Sequence, residues 1–143
     1  MENKKRTNYW LIAGVLVILM VGSYYSYRKD LVVRKNGIYT IAKIEKIRIA
    51  RSGWRVGILI AYQNAYFHEE AVYFYEYFNS NSVGNSYFIK INYKEQENKI
   101  ESMRLVPIVQ VPDSIQSAPP EGWSEEWMRE HFPKVVEYVH DTR

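Results

Sequence analysis

The pattern of apolar and polar positions changes period twice along the chain, and each change marks a new kind of element. Between Arg6 and Arg28 there is no charged residue, and Trp10–Gly22 is an unbroken run of apolar residues and glycine with no polar face at helical spacing. A helix that is apolar all round needs a large core or lipid about it. This chain is too short to build such a core, so lipid is the expected solvent. Residues 9–27 rise about 28 Å as a helix, close to the hydrocarbon thickness of a bilayer. Tyr9 and Trp10 at one end, with Tyr24, Tyr25 and Tyr27 at the other, fit two interfacial aromatic belts, and Arg28 and Lys29 flank the second. The segment therefore reads as an uncleaved signal anchor. A cleavable secretory signal, cut near Val21-Gly22-Ser23, is the competing reading. The large tyrosines and the basic pair that follow weigh against it.

From Gly37 to Val111 the period is that of strands. Ile38–Ile49 is rich in β-branched residues, but its apolar phase switches near Ile44, which predicts a bulge or bend there. Arg51-Ser52-Gly53 reads as a turn. Trp54, Val56, Ile58, Ile60 and Tyr62 then share one face of the next strand. Gln63-Asn64-Ala65 is a second turn, and an aromatic run follows it from Tyr66 to Phe78. Residues 79–86 form the plainest loop. Beyond it Tyr87, Ile89, Ile91 and Tyr93 alternate with Phe88, Lys90, Asn92 and Lys94. A charged turn over 94–99 precedes a last β stretch, interrupted by Pro107, which belongs at an edge or a bulge. Five or six antiparallel strands this short predict a small barrel or rolled sheet.

Four prolines at 107, 112, 119 and 120 make the next segment an extended strap. Ser124 is a good helix N-cap, with Glu125 and Glu126 favourably placed against the helix dipole. Trp123 and Met128 stand in hydrophobic-staple positions. Met128, Phe132, Val135, Val136 and Val139 keep helical spacing, with Pro133 expected to kink or restart the helix, which should cap the open end of the sheet. The expected fold is an N-terminal transmembrane helix plus a mainly-β domain with a C-terminal helix. Its segments are a basic tail (1–8), the transmembrane helix (9–27), a connector (28–36), an antiparallel β domain (37–111), a proline-rich strap (112–123) and the C-terminal helix (124–142).

Charge sharpens this picture. The net +3 resides in residues 1–30, with five basic and two acidic side chains; the remaining 14 of each sign cancel. The basic balance thus belongs to the membrane flanks, and a nucleic-acid partner is not expected. Residues 31–55 hold seven basic residues and Glu45, a segment that would be drawn to anionic headgroups if it lay near the bilayer, and is otherwise a solvated strand face. Lys4, Lys5 and Arg6 oppose Arg28, Lys29, Arg34 and Lys35 almost evenly. A very short basic tail usually stays in the cytoplasm, so the domain is expected on the extracytoplasmic side.

NGIYTIAKI after the span, VGNSYFIKI, and VPDSIQSAPPEGW resemble motifs of small uncharacterised bacterial proteins with one N-terminal span and a compact β domain. The resemblance covers most of residues 9–123. It implies the architecture and no catalytic residues. The present chain departs from that group in lacking cysteine and in its longer C-terminal helix.

The residues offer little catalytic chemistry. His68-Glu69-Glu70 is the one His–carboxylate cluster, with His68 and Glu70 on one strand face. His131 and His140 are remote from it in sequence, short of the three or four ligands a metal needs. There is no Gly-flanked serine elbow and no phosphate loop, and Glu125 and Glu126 are explained by the helix start. No catalytic residue, metal ligand or cofactor is expected. The compositional excess is tyrosine, 13 in all, which suits binding surfaces. Tyr73, Phe74, Tyr75 and Tyr77 are the candidate aromatic surface. The expected activity is that of a membrane-anchored interaction module, of immunity type or part of an envelope complex, with the bilayer and a protein as partners. A cytoplasmic OB-like barrel binding single-stranded nucleic acid stands second, and a hydrolase using His68 last.

Overall fold

The computed structural model describes residues 2–51, 53–73 and 77–141, with side chains described from Tyr9 onward. Helix α1 (Glu2–Asn36) leads into strands β1 (Ile38–Ala50), β2 (Gly53–Tyr62), β3 (Ala65–Tyr73), β4 (Ser86–Lys94) and β5 (Lys99–Gln110). Helices α2 (Glu125–His131) and α3 (Pro133–His140) follow a strap that lacks regular structure. All strand pairs are antiparallel, in the order β3-β2-β1-β4-β5. The long β1 is shared by β2 and β4. The switch of apolar phase near Ile44 is a bulge at Glu45: Ile44 pairs with Ile58, and Lys46 already with Gly57. Pro107 lies in β5, an edge strand, where its missing N–H breaks no ladder on the free side.

The sheet is rolled and not closed. Tyr62 and Phe67 reach across its inside to Tyr93, with ring centroids 5.1 and 5.7 Å away. At the facing edges the Tyr73 hydroxyl of β3 donates to the Leu105 carbonyl of β5 at 3.0 Å. Ile44, Val56, Ile58, Ile60, Ile89 and Ile91 fill the inside of the roll. A second core lies on the opposite face, where Tyr39, Phe88 and Val106 meet Met128, Val135, Val136 and Val139. The C-terminal helices therefore cover a sheet face, where a cap over the open end had been expected. Pro133 restarts the helix: α2 ends at His131, and α3 begins with the proline at its first turn, where an N–H is dispensable. Ser124 caps α2 by accepting from the Trp127 N–H at 3.2 Å.

The strap is pinned where β2 has ended. Trp123 and Tyr39 exchange both backbone hydrogen bonds, at 3.1 and 2.8 Å, and the Gln63 N–H donates to the Pro120 carbonyl at 2.9 Å. Gly122 makes this approach feasible. Its φ is +74°, and a Cβ there would run into the Ile38 side chain and the Tyr39 carbonyl.

The helix does not stop at Tyr27. Residues 28–36, expected to be a connector, are the last turns of α1 and lie against the sheet. No proline or glycine interrupts this stretch before Gly37, and the Asp30–Arg34 pair, 2.6 Å apart at i,i+4, supports helix. Val33 is 1% exposed, a burial that favours docking by about 2 kcal/mol. Gly37 then turns the chain directly into β1, with no room for a side chain beside the Val33 carbonyl and the Lys90 stem.

Candidate binding cleft

Arg104 on β5 is the residue on which three elements converge. Its guanidinium donates to Asp30 of α1 at 3.1 and 3.4 Å, donates to the Asp141 carbonyl just after α3 at 2.9 Å, and lies 5.8 Å from the Tyr138 ring centroid. Beside it opens a cleft of about 410 Å³ lined by Tyr77, Arg104, Ile108, Tyr138 and Asp141. Ile108 is 52% exposed and Tyr77 40% exposed, so the cleft presents apolar and aromatic surface to solvent. Burial pushes the Tyr138 phenol above its ordinary pKa, and the neighbouring Tyr77 adds to the shift. Both effects keep Tyr138 a neutral donor. A cation flanked by tyrosines and an aliphatic edge is suited to a peptide surface.

Of the aromatic residues singled out in sequence, Tyr77 forms part of this cleft. Tyr73 supports it from inside: its ring meets Tyr77 at 6.5 Å and buried Phe78 at 5.3 Å, both edge-on, while its hydroxyl bridges to Leu105. Burial raises the Tyr73 phenol pKa, so the bridge stays protonated. Phe74 and Tyr75 lie outside the described residues. Arg104, Ile108 and Tyr138 carried no signal in sequence, because they reach the cleft from β5 and α3.

The aromatic residues expected at the membrane interfaces are exposed on α1. Tyr9, Trp10, Tyr24, Tyr25 and Tyr27 all project from the helix, as do the apolar side chains from Leu11 to Val21. The Arg28 guanidinium lies 6.0 Å from the Tyr24 ring centroid, and the Lys29 ammonium lies 4.8 Å from that of Tyr25. This is one helix near the N-terminus, long and apolar enough to cross a membrane.

A second convergence joins α1 to α2. Lys90 on β4 is fully buried and donates to the Arg34 carbonyl and to Glu125 Oε2, each at 2.7 Å, while its ammonium lies 4.7 Å from the Tyr39 ring centroid. His140 and Arg129 also contact Glu125, at 3.0 and 2.9 Å. Burial alone would raise the Glu125 pKa, but the hydrogen bonds from Lys90 and His140 outweigh it and bring it down to about 2.

The remaining histidines have structural company. His68 Nδ1 is 3.0 Å from Glu45 at the bulge, and His131 stacks on Trp127 at 4.2 Å. Among the described residues no group of three His, Cys, Asp or Glu could hold a metal. The basic residues Lys46, Arg48, Arg51 and Arg55 sit around the β1–β2 turn, at the end of β1 away from α1. About 40 Å of strand separates that turn from the helix end.

No family model, curated protein or solved structure matches this chain. The coarse architecture expected from the sequence is present, an apolar N-terminal helix followed by a β-sheet domain.

Proposed function

We propose that this protein is a membrane-anchored, non-enzymatic interaction module that holds a protein partner in the cleft of Tyr77, Arg104, Ile108 and Tyr138. The observation that carries this reading is the direct linkage of cleft and anchor. Arg104 forms one wall of the cleft and also grips Asp30, three residues beyond the aromatic belt. A partner seated there is held at a fixed height above the bilayer. The uncleaved span is supported by the continuity of α1 through the bilayer-length segment into a docked stretch that belongs to the domain. The short basic tail Lys4-Lys5-Arg6 supports an extracytoplasmic domain in a bacterial envelope, as an immunity-type protein or a subunit of a larger complex.

Photo-crosslinking tests this reading. A crosslinking amino acid placed at position 77 or 108 of the full chain, expressed in its native membrane, captures one and the same partner. The same group at Gln96, on the β4–β5 turn, does not. Equal capture from all three positions, or none from 77 and 108, contradicts it.

A second reading draws on the partly open, five-stranded roll, the general arrangement of OB-like barrels. Lys46, Arg48 and Arg55 would track the phosphates of a single strand, with the domain then cytoplasmic. It predicts salt-dependent binding of single-stranded oligonucleotides. Salt-independent absence of binding removes it.

A further inference from the structure

The docked end of α1 sorts its side chains by chemistry. Asp30, Val33 and Arg34 face the sheet, the first and last as an ion pair. Arg28, Leu31, Val32 and Lys35, spaced i, i+3, i+4 and i+7, form the opposite face and with Asn36 line a groove of about 250 Å³. Arg28, Val32, Lys35 and Asn36 are exposed there. Among the described residues, the ion pairs take in neither Arg28, Lys29 nor Lys35, whereas Arg34, Lys90 and Arg104 all have acidic partners. In the nearby β4–β5 turn Glu97 and Glu101 are engaged by Lys94 and Lys99, which leaves Glu95 as the turn's carboxylate outside the ion pairs, against three such cations on α1. On this end of α1 the charge outside the ion pairs is cationic, and its three residues fall within about 11 Å of helix directly beyond the Tyr24–Tyr27 belt.

We propose that this groove is a binding site for an anionic phospholipid of the same bilayer that α1 crosses. The phosphate would sit between Arg28 and Lys35, with the Asn36 amide at the outer rim, and the glycerol carbons would lie on Leu31 and Val32. Charge complementarity selects this occupant. The site abuts the headgroup layer, its walls are cationic, and its floor is aliphatic, as a lipid requires from head to tail. The carbonyl end of a helix is in general a poor place for an anion. Here Lys90 occupies the Arg34 carbonyl and the Gly37 N–H occupies the Val33 carbonyl at 2.9 Å, which blunts that penalty. A lipid held at this point fixes the rotation and depth of α1, and through Asp30 and Arg104 the attitude of the cleft.

The inference rests on α1 spanning the bilayer, and the test separates the two. The full chain is reconstituted into phosphatidylcholine vesicles carrying a trace of spin-labelled phosphatidylglycerol or spin-labelled phosphatidylcholine. Flotation first reports whether the chain is in the membrane; a chain left in the aqueous fraction overturns the anchor and the site together. For floated protein, the motionally restricted fraction of each labelled lipid gives relative affinity. The expected result is several-fold selection of phosphatidylglycerol, lost in the triple variant Arg28→Gln, Lys29→Gln, Lys35→Gln. It is retained in Lys4→Gln, Lys5→Gln, Arg6→Gln. Lys35→Gln alone, farthest from the belt, should remove part of that selectivity, as one of three cations near the headgroup layer. Equal affinity for the two lipids, selectivity that follows the tail variant instead, or full selectivity without Lys35 each overturn the site while leaving the anchor standing.

Discussion

The ammonium of Lys90 lies 2.7 Å from the backbone carbonyl of Arg34, so the last turn of the apolar helix is capped by a side chain from the middle of the sheet. The same ammonium grips Glu125 at the start of α2. One buried cation therefore ties α1 to the C-terminal helices, and the arrangement defines how the domain hangs from its helix.

Lys90→Met removes both ties while keeping much of the volume. The Arg34 carbonyl and part of the Glu125 carboxylate are left without their donor. The expected loss is about 3 kcal/mol, the low end for breaking a buried pair by removing one partner. Denaturant unfolding of the full chain in detergent micelles measures it, and protease should cut between α1 and β1 in the variant more readily than in the parent.

Glu125 gives the fold a definite acid response. Its pKa is depressed from 4.5 to about 2, so its ionised form stabilises the native state, fully so above about pH 4.5. That contribution fades as pH falls from there through about 2. In Glu125→Gln the melting temperature should be lower than in the parent at pH 6, and the gap should close on acidification toward pH 2. A gap that widens on acidification would contradict the assignment.

Gly122 tests the strap. A methyl group at that position meets Ile38 and the Tyr39 carbonyl, on a backbone whose φ of +74° already disfavours a side chain. Gly122→Ala should cost about 2 kcal/mol. Because Trp123 stacks on Trp127 with centroids 5.2 Å apart, the change should also be visible in tryptophan fluorescence.

Tyr73→Phe deletes the hydroxyl that bridges the two sheet edges and leaves the ring in place. The expected cost is about 1 kcal/mol. Hydrogen exchange should accelerate in β3 and β5, the two unpaired edges, and stay unchanged in β1, which has a neighbour on both sides.

Much of the architecture was legible because it rests on local pattern. The apolar helix needs only its own composition. The bulge at Glu45 announces itself as a change of parity, and the break at Pro133 follows from a missing N–H. Ser124 and the strap prolines are equally local. What the sequence concealed are partnerships across long separations. Lys90 falls on the polar phase of an alternating strand and looks solvated; its burial depends on Arg34 and Glu125, 56 and 35 residues away. Residues 28–36 looked like a connector because they are polar, although Asp30 and Arg34 at i,i+4 were a readable hint of helix. In sequence Tyr73 reads with Tyr77 as surface. Strand alternation gives both the same parity but does not reveal that Leu105, on the far edge of a rolled sheet, receives the Tyr73 hydroxyl.

The apolar helix and the domain should move as one piece. The chain has no native cysteine, so paired spin labels can be placed cleanly. Cysteines substituted for Leu16 in the apolar segment and for exposed Glu126 on α2 bracket the seam, with about 27 Å of helix between Leu16 and Arg34. Pulsed electron resonance of this doubly labelled chain in lipid nanodiscs should give one narrow distance distribution, broadened in Lys90→Met. A broad distribution in the parent, unchanged by that substitution, would mean a domain swinging on a loose tether.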